Sequence, residues 1–220
     1  MKSVIKGDRV IAVFDILGFS NLVKGTKLSL LPELMENINN FTEGSLVSKD
    51  FRGHILFSDT IILYGKRGDS IAEPELLIIA SSNLLNVFAR NGILLRGALT
   101  FGPIFIDSNK NIIVGSSLVK GYNLEIIQEW AGAIVDLEFE DFYRKGLKHS
   151  PESLQCNLTT YPAPMKTGKR INYGCIGWMH RAELDWDKIE NLFFPYKNAI
   201  KEHDIYRKFL NTKEYLDSCS

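Results

Sequence analysis

No charge of one sign dominates this chain. Lysine plus arginine number 26 and aspartate plus glutamate number 26, so the net charge is zero. That excludes a broad electrostatic footprint for duplex DNA, and no nucleic-acid partner is expected. It leaves room for a local basic pocket around a single nucleotide. Cysteine is scarce. Cys156, Cys175 and Cys219 are odd in number and widely spaced, which excludes a disulfide framework and fits reduced thiols in a cytoplasmic protein. No CxxC pair or His/Cys cluster suggests zinc. No apolar run approaches transmembrane length, so no membrane partner is expected. The N-terminus runs straight into a charged turn and a strand, without the pattern of a signal peptide. Internal repeats and low-complexity segments are absent as well.

What is present is a globular composition, 45% hydrophobic and 11% aromatic over 220 residues. Such a chain fits one domain with a proper core. Arg9 to Asp15 reads as a first strand. A short helix follows near Ser20 to Val23, and a longer one over Leu28 to Asn40, with Leu31, Leu34, Ile38 and Phe41 at helical period. His54 to Phe57 and Thr60 to Tyr64 read as a hairpin turning at Ser58-Asp59. Glu73 to Arg90 is a helix with Pro74 in its first turn and Asn91-Gly92 closing it. Ile93 to Thr100 is a strand, broken at Gly102-Pro103. Ile104 to Ile106 and Ile112 to Val114 flank a second hairpin turn. A helix over Ser116 to Trp130, a strand over Ala133 to Leu137 and a short helix over Phe139 to Lys145 follow. Lys148 to Arg170, with three prolines, reads as a long excursion. Ile171 to Trp178 reads as a last strand, and Trp186 to Glu202 and Ile205 to Leu216 as a helical tail. The order predicts an α+β fold with a ferredoxin-like split βαβ core in a mixed sheet. Residues 5–180 would form the catalytic domain, and 181–220 a helical extension packed on it.

Two aspartates stand out. Asp15 ends the apolar run Val10-Ile11-Ala12-Val13-Phe14, and Asp59 interrupts Ile55-Leu56-Phe57 and Ile61-Ile62-Leu63. A carboxylate there is costly unless it is hydrogen-bonded, paired or bound to a cation. A split βαβ core brings the end of the first strand to the tip of the hairpin. Two carboxylates meeting there suit a hard divalent metal. Ile16-Leu17-Gly18-Phe19 then turns into a helix N-terminus, whose free N–H groups favour phosphate. The plainer alternative is that Asp15 caps that helix and Asp59 makes a turn.

Phe14-Asp15-Ile16-Leu17-Gly18-Phe19 and Phe57-Ser58-Asp59 resemble the two metal motifs of class III nucleotidyl cyclases. Leu95-Arg96-Gly97-Ala98-Leu99-Thr100-Phe101-Gly102-Pro103 is similar to the next strand of that family. Val114-Gly115-Ser116-Ser117-Leu118-Val119, leading to Leu124-Glu125, sits where its catalytic helix begins. The likeness spans Val10 to Val135, and within the family it is strongest to the bacterial Pycsar pyrimidine cyclases, antiphage enzymes that make cyclic UMP or cyclic CMP. The resemblance implies a homodimer with active sites at its interface. It implies two Mg²⁺ or Mn²⁺ ions held by Asp15, Ile16 and Asp59, with Phe14, Leu17, Gly18 and Phe19 next to the substrate. The reaction it implies is attack of a ribose 3′-oxygen on the α-phosphorus, with pyrophosphate leaving.

The chain also departs from the family. The family's catalytic helix carries an Asn and, one turn later, a transition-state Arg; Val119 and Asn123 stand there. Either another cation replaces that Arg, or the enzyme is slow or inactive; Arg96 and Lys120 are the nearest replacement cations, with a buried salt bridge and a solvated lysine as their plainer readings. Asn123 could still meet substrate. The positions at which purine cyclases read the base are Ile55 and about Gly92, neither able to do so. UTP or CTP is therefore expected over ATP. Alternation puts Phe51, Gly53 and Ile55 on the face where a base would lie, Gly53 leaving room for it. Phe51 could equally be core. Lys166, Lys169 and Arg170 form a basic cluster that could close over a triphosphate or stay a solvated loop.

Overall fold

The computed structural model describes residues 4–46, 52–65, 72–147, 158–178, 190 and 203–218. Phe51, all of the expected first tail helix except Glu190, and two of the three cysteines lie outside them.

The first strand, β1 (Val4–Ile16), leads into a short α1 (Phe19–Gly25), a 3₁₀ turn (Leu28–Leu30) and α2 (Leu31–Ser45). The hairpin β2 (Arg52–Phe57) and β3 (Thr60–Gly65) precedes α3 (Glu73–Arg90) and β4 (Leu95–Asp107). Then come β5 (Ile112–Val114), α4 (Ser116–Ile126), β6 (Gly132–Val135), α5 (Leu137–Leu147), β7 (Leu158–Pro164), β8 (Arg170–Ile176) and a C-terminal α6 (His203–Ser218). The sheet order is β2-β3-β1-β4-β6-β8-β7, with β5 beside β4. Strands β2, β3, β1 and β4 pair antiparallel, whereas β6 joins β4 parallel. This is the expected α+β architecture, with the split βαβ core in a mixed sheet.

Strand β1 is buried on both faces, which is why it reads as an unbroken apolar run. Val10, Ala12, Phe14 and Ile16 enter the larger core with α2, α3 and α5; Ile11 and Val13 enter a smaller cluster with Ile62, Tyr64, Ile104 and Ile106. Helix α4 lies against that second face. A Cβ on Gly121 would come within 2.8 Å of a Val13 methyl, so the glycine lets helix and sheet approach. Thr100 Oγ1 donates to the Ser117 carbonyl at 2.9 Å. Helix α6 docks on residues 129–131. Asn211 Nδ2 donates to the Glu129 carbonyl at 2.8 Å, the Ala131 N–H donates to Thr212 Oγ1 at 2.8 Å, and Tyr215 packs edge-on against Trp130 and Tyr161.

Three expectations need correcting. Gly102-Pro103 does not break the strand. β4 runs on to Asp107, because Gly102 adopts φ 145° and Pro103 keeps its register place opposite Asp8. The helix from Ser116 stops at Ile126, as the chain turns there to bury Gln128, Glu129 and Trp130. The supposed excursion contains β7, an edge strand that holds Pro162 and Pro164 in register with Asn172 and Arg170. An edge strand can lack those donors without breaking the sheet.

Candidate active site

Asp15 and Asp59 meet because β1 and β3 are paired. Asp15 stands opposite Thr60 of β3 and opposite Arg96 of β4. The Ile16 N–H donates to the Asp59 carbonyl at 3.0 Å, so the end of β1 is tied to the hairpin tip. The tip is a two-residue turn in which Ser58 takes φ 55°, the left-handed conformation that the first residue of a tight hairpin turn needs.

The Asp15 carboxylate is partly exposed, and the guanidinium of Arg96 reaches it only at 3.5 Å, from Nη2 to Oδ2. Arg96 is buried and turned mainly elsewhere. Its Nε donates to Glu125 Oε1 at 2.5 Å and its Nη1 to the Gln128 carbonyl at 3.1 Å. Gln128 is itself fixed. Its Nε2 donates to the Gly97 and Leu124 carbonyls, each at 2.8 Å, and its Oε1 accepts from Trp130 Nε1 at 2.8 Å. Burial and then the nearby Glu125 charge push the Asp15 pKa up to about 6, against the pull of Arg96; Asp59 adds to the rise and Lys166 opposes it. Burial raises Glu125 as well, despite its contact with Arg96. Burial thus outweighs the nearby cations at both carboxyl groups. Asp59 has no hydrogen-bond or ion-pair partner for its carboxylate among the described residues.

Among the described residues no group of three or more His, Cys, Asp or Glu is placed to hold a metal by itself. Two hard carboxylates beside a substrate's phosphates are nevertheless a usual Mg²⁺ arrangement. A partnerless Asp59 and an Asp15 with one long contact fit such a cation. The side chain of Ile16 is buried in the larger core, so only its main-chain carbonyl could serve a metal.

The substrate-facing expectations fare unevenly. Gly18 is exposed at φ 76°, and the N–H groups of Gly18, Phe19 and Ser20 have no main-chain acceptor among the described residues. The Leu17 N–H is spent on the Leu94 carbonyl at 2.9 Å, and the side chains of Leu17 and Phe19 pack against the larger core. Phe14 is fully buried, its ring lying over Gly97, so it cannot touch a substrate. Gly53 does not leave room for a base. A Cβ there would fall 2.1 Å from the Tyr64 ring, which already fills the space. Ile55 packs on the smaller cluster, half-buried, and Gly92 caps the end of α3 rather than lying on a strand. Lys120 is not aimed at the aspartates. It is held by Asp136 at 3.1 Å and Glu138 at 2.5 Å because α4 turns it toward the start of α5. Asn123 is exposed, on the same side of α4 as Val119, Tyr122 and Ile126. His54 bonds Asn39 of α2 at 2.9 Å and belongs to the scaffold.

Sequence reasoning missed Glu125, whose side chain meets Arg96 only once α4 is packed on β4. Its one sequence signal was the buried Arg96, which had to have a partner. Lys166, on the β7–β8 turn, makes no ion pair among the described residues. Partial burial and then the Arg96 charge lower its pKa, and it senses Glu125 and Asp15.

No family model and no curated protein matches this sequence. Solved structures do match in shape. A bacterial light-regulated adenylyl cyclase aligns with TM-score 0.57 at 11% identity, over 88% of this chain and 98% of its own. The guanylyl cyclase domain of the RhoGC fusion protein from the fungus Blastocladiella emersonii aligns with TM-score 0.56 at 13% identity, over 81% and 99%. The adenylyl cyclase CyaB from P. aeruginosa aligns with TM-score 0.53 at 13% identity, over 83% and 100%. At these identities the likeness concerns the fold, and the fold is that of the class III nucleotidyl cyclases.

Proposed function

We propose that this chain is a metal-dependent nucleotidyl cyclase that converts a pyrimidine nucleoside triphosphate, UTP or CTP, to its 3′,5′-cyclic monophosphate and pyrophosphate. The observation that carries the reading is the pair of strand-end aspartates, Asp15 and Asp59, tied together by the bond from the Ile16 N–H to the Asp59 carbonyl. Their carboxylates, with the Ile16 carbonyl, would hold Mg²⁺ or Mn²⁺. When bound, such ions lower the pKa of the ribose 3′-hydroxyl and offset the triphosphate charge. The 3′-hydroxyl gives up its proton to solvent, its oxygen forms a bond to the α-phosphorus, the bond to the bridging α–β oxygen breaks, and pyrophosphate carries off that electron pair. The chain's own contribution is positioning and charge. The N–H groups at Gly18, Phe19 and Ser20 suit phosphate oxygens, and Lys166 is an exposed cation that senses Asp15 and Glu125. Arg96, with each of its three nitrogens engaged by Glu125, Gln128 or Asp15, serves the carboxylates rather than the leaving group.

The preference for a pyrimidine rests on Ile55, whose apolar side chain offers no hydrogen bond to a purine edge. We place the active sites at a homodimer interface, since Asn123 and the apolar Val119, Tyr122 and Ile126 lie exposed on α4. In this reading the cyclic product signals infection in a bacterial antiphage response. A second reading, a domain that binds nucleotide without turning it over, is favoured by Asn123 in place of an arginine and by the engagement of Lys120 with Asp136 and Glu138.

The test is purified protein with Mn²⁺ and each of the four ribonucleoside triphosphates separately, products resolved by mass spectrometry, with Asp59→Ala as control. Cyclic UMP or cyclic CMP, absent from the control, is the expected result. Tight nucleotide binding with no cyclic product under any metal favours the second reading.

A further inference from the structure

We infer that Glu125 is a positioning residue for the cation site: it holds the Arg96 guanidinium off Asp15 and offsets its charge, leaving the Asp15 carboxylate open to a divalent metal. The inference rests on the proposed role of Asp15 and Asp59. A buried arginine directly opposite an aspartate in register would ordinarily close on it with two parallel bonds. Here it does not. Arg96 is 6% exposed and faces Asp15 across the β1–β4 pair, yet only Nη2 approaches it, at 3.5 Å. The strong contact is the one from Nε to Glu125 at 2.5 Å, and Nη1 is drawn the same way by the Gln128 carbonyl at 3.1 Å. Both partners come from the C-terminal end of α4 and the turn after it. Glu125 is buried, and Gln128 is locked by its bonds to Gly97, Leu124 and Trp130, so the clasp cannot drift toward β1.

The charges agree with this division. Without Glu125, Arg96 would have Asp15 as its one carboxylate partner among the described residues, and a metal would have to displace the guanidinium to bind. With Glu125, the arginine's charge is already met from the far side. It can steady Asp15 through a single long contact while leaving the carboxylate open. Partners that orient a metal's ligands in this way commonly matter to affinity almost as much as the ligands do.

The test is Mn²⁺ binding to the full chain, without nucleotide, followed by electron paramagnetic resonance of the free ion. Asp15→Asn is expected to lose the binding seen in the wild type. Glu125→Gln, which keeps the shape and removes the charge, is expected to weaken it about tenfold, as outer-shell changes at metal sites commonly do. The double variant Glu125→Gln with Arg96→Met is expected to return close to wild type. Arg96→Met alone is expected to bind Mn²⁺ at least as tightly as wild type, and this arm decides the matter if Glu125→Gln does not fold. Unchanged affinity in Glu125→Gln, no recovery in the double variant, or weaker binding in Arg96→Met overturns the inference while leaving the metal site standing. A wild type that binds no Mn²⁺, or binds it equally well as Asp15→Asn, overturns the metal reading and this inference together.

Discussion

The two faces of the central sheet carry different burdens. On one, Val10, Ala12, Phe14 and Ile16 of β1 sink into a large core beneath α2, α3 and α5. On the other, Ile11 and Val13 reach a small cluster, and the next residue along that face is Asp15. That second face holds the Arg96–Glu125 clasp and is covered by α4, which leaves Val119, Tyr122 and Ile126 exposed. One strand thus serves stability with its even-numbered residues and charge with its last odd-numbered one. The period-2 geometry of a strand separates the two roles without a change of element.

The sharpest way to break the contrast is Phe14→Ala. Removing a fully buried ring costs about 3–5 kcal/mol, read as a fall in the denaturation midpoint. Mn²⁺ affinity of the fraction still folded is expected to change little, and a large change would show that the faces are not separate. Gly121→Val attacks the other face. Its first side-chain carbon would crowd Val13, and overpacking of this kind costs about 1–3 kcal/mol. Here product formation is expected to fall further than stability, because α4 carries Glu125.

Asp15 sharpens the comparison through pH. Its pKa is pushed up to about 6, chiefly by burial, above the value near 3.9 of an unfolded chain. The folded protein therefore binds this proton more tightly than the unfolded chain does. The stability that Asp15 contributes is fully present below about pH 4 and is lost as pH rises through about 6. Thermal melts of the metal-free protein across that window are expected to show this component, and Asp15→Asn to lack it. Mn²⁺ affinity is expected to run the opposite way, rising with pH as the carboxylate ionises. The smallest effect belongs to Lys120→Ala. That partly exposed lysine is tied to Asp136 and Glu138, and losing such a pair costs less than about 1 kcal/mol. Cyclic nucleotide formation at the wild-type rate is expected; a large loss would return Lys120 to the reacting groups.

Much of this was legible in the sequence, for physical reasons. β1, the β2–β3 hairpin and α3 announce themselves through local periodicity and turn residues, and Asp15 and Asp59 stand out because a charge in an apolar strand needs a reason. What stayed hidden depends on contacts between distant segments. Strand β7 was masked by Pro162 and Pro164, tolerable only because β7 lies at the sheet edge. The continuation of β4 through Gly102-Pro103 is set by its pairing with Asp8 and Arg9. Gly53 looked like free space because nothing in its neighbourhood foretells that the Tyr64 ring lies over it. Glu125 entered only as part of the helix motif, because nothing near it in sequence foretells its bond to Arg96.

The long ribbon of β1 and β4 has a consequence for how the protein is made. It joins Val4 to Asp107 at one end and Ile16 to Leu95 at the other, so the first strand has no β4 partner until nearly half the chain has been synthesised. Pairings between such remote segments form slowly, because the intervening loop must be closed before any contact rewards it. Asp15 leaves the ribosome early, Arg96 much later and Glu125 later still. A nascent chain therefore cannot assemble the charged cluster until the segment through Gln128 has been made.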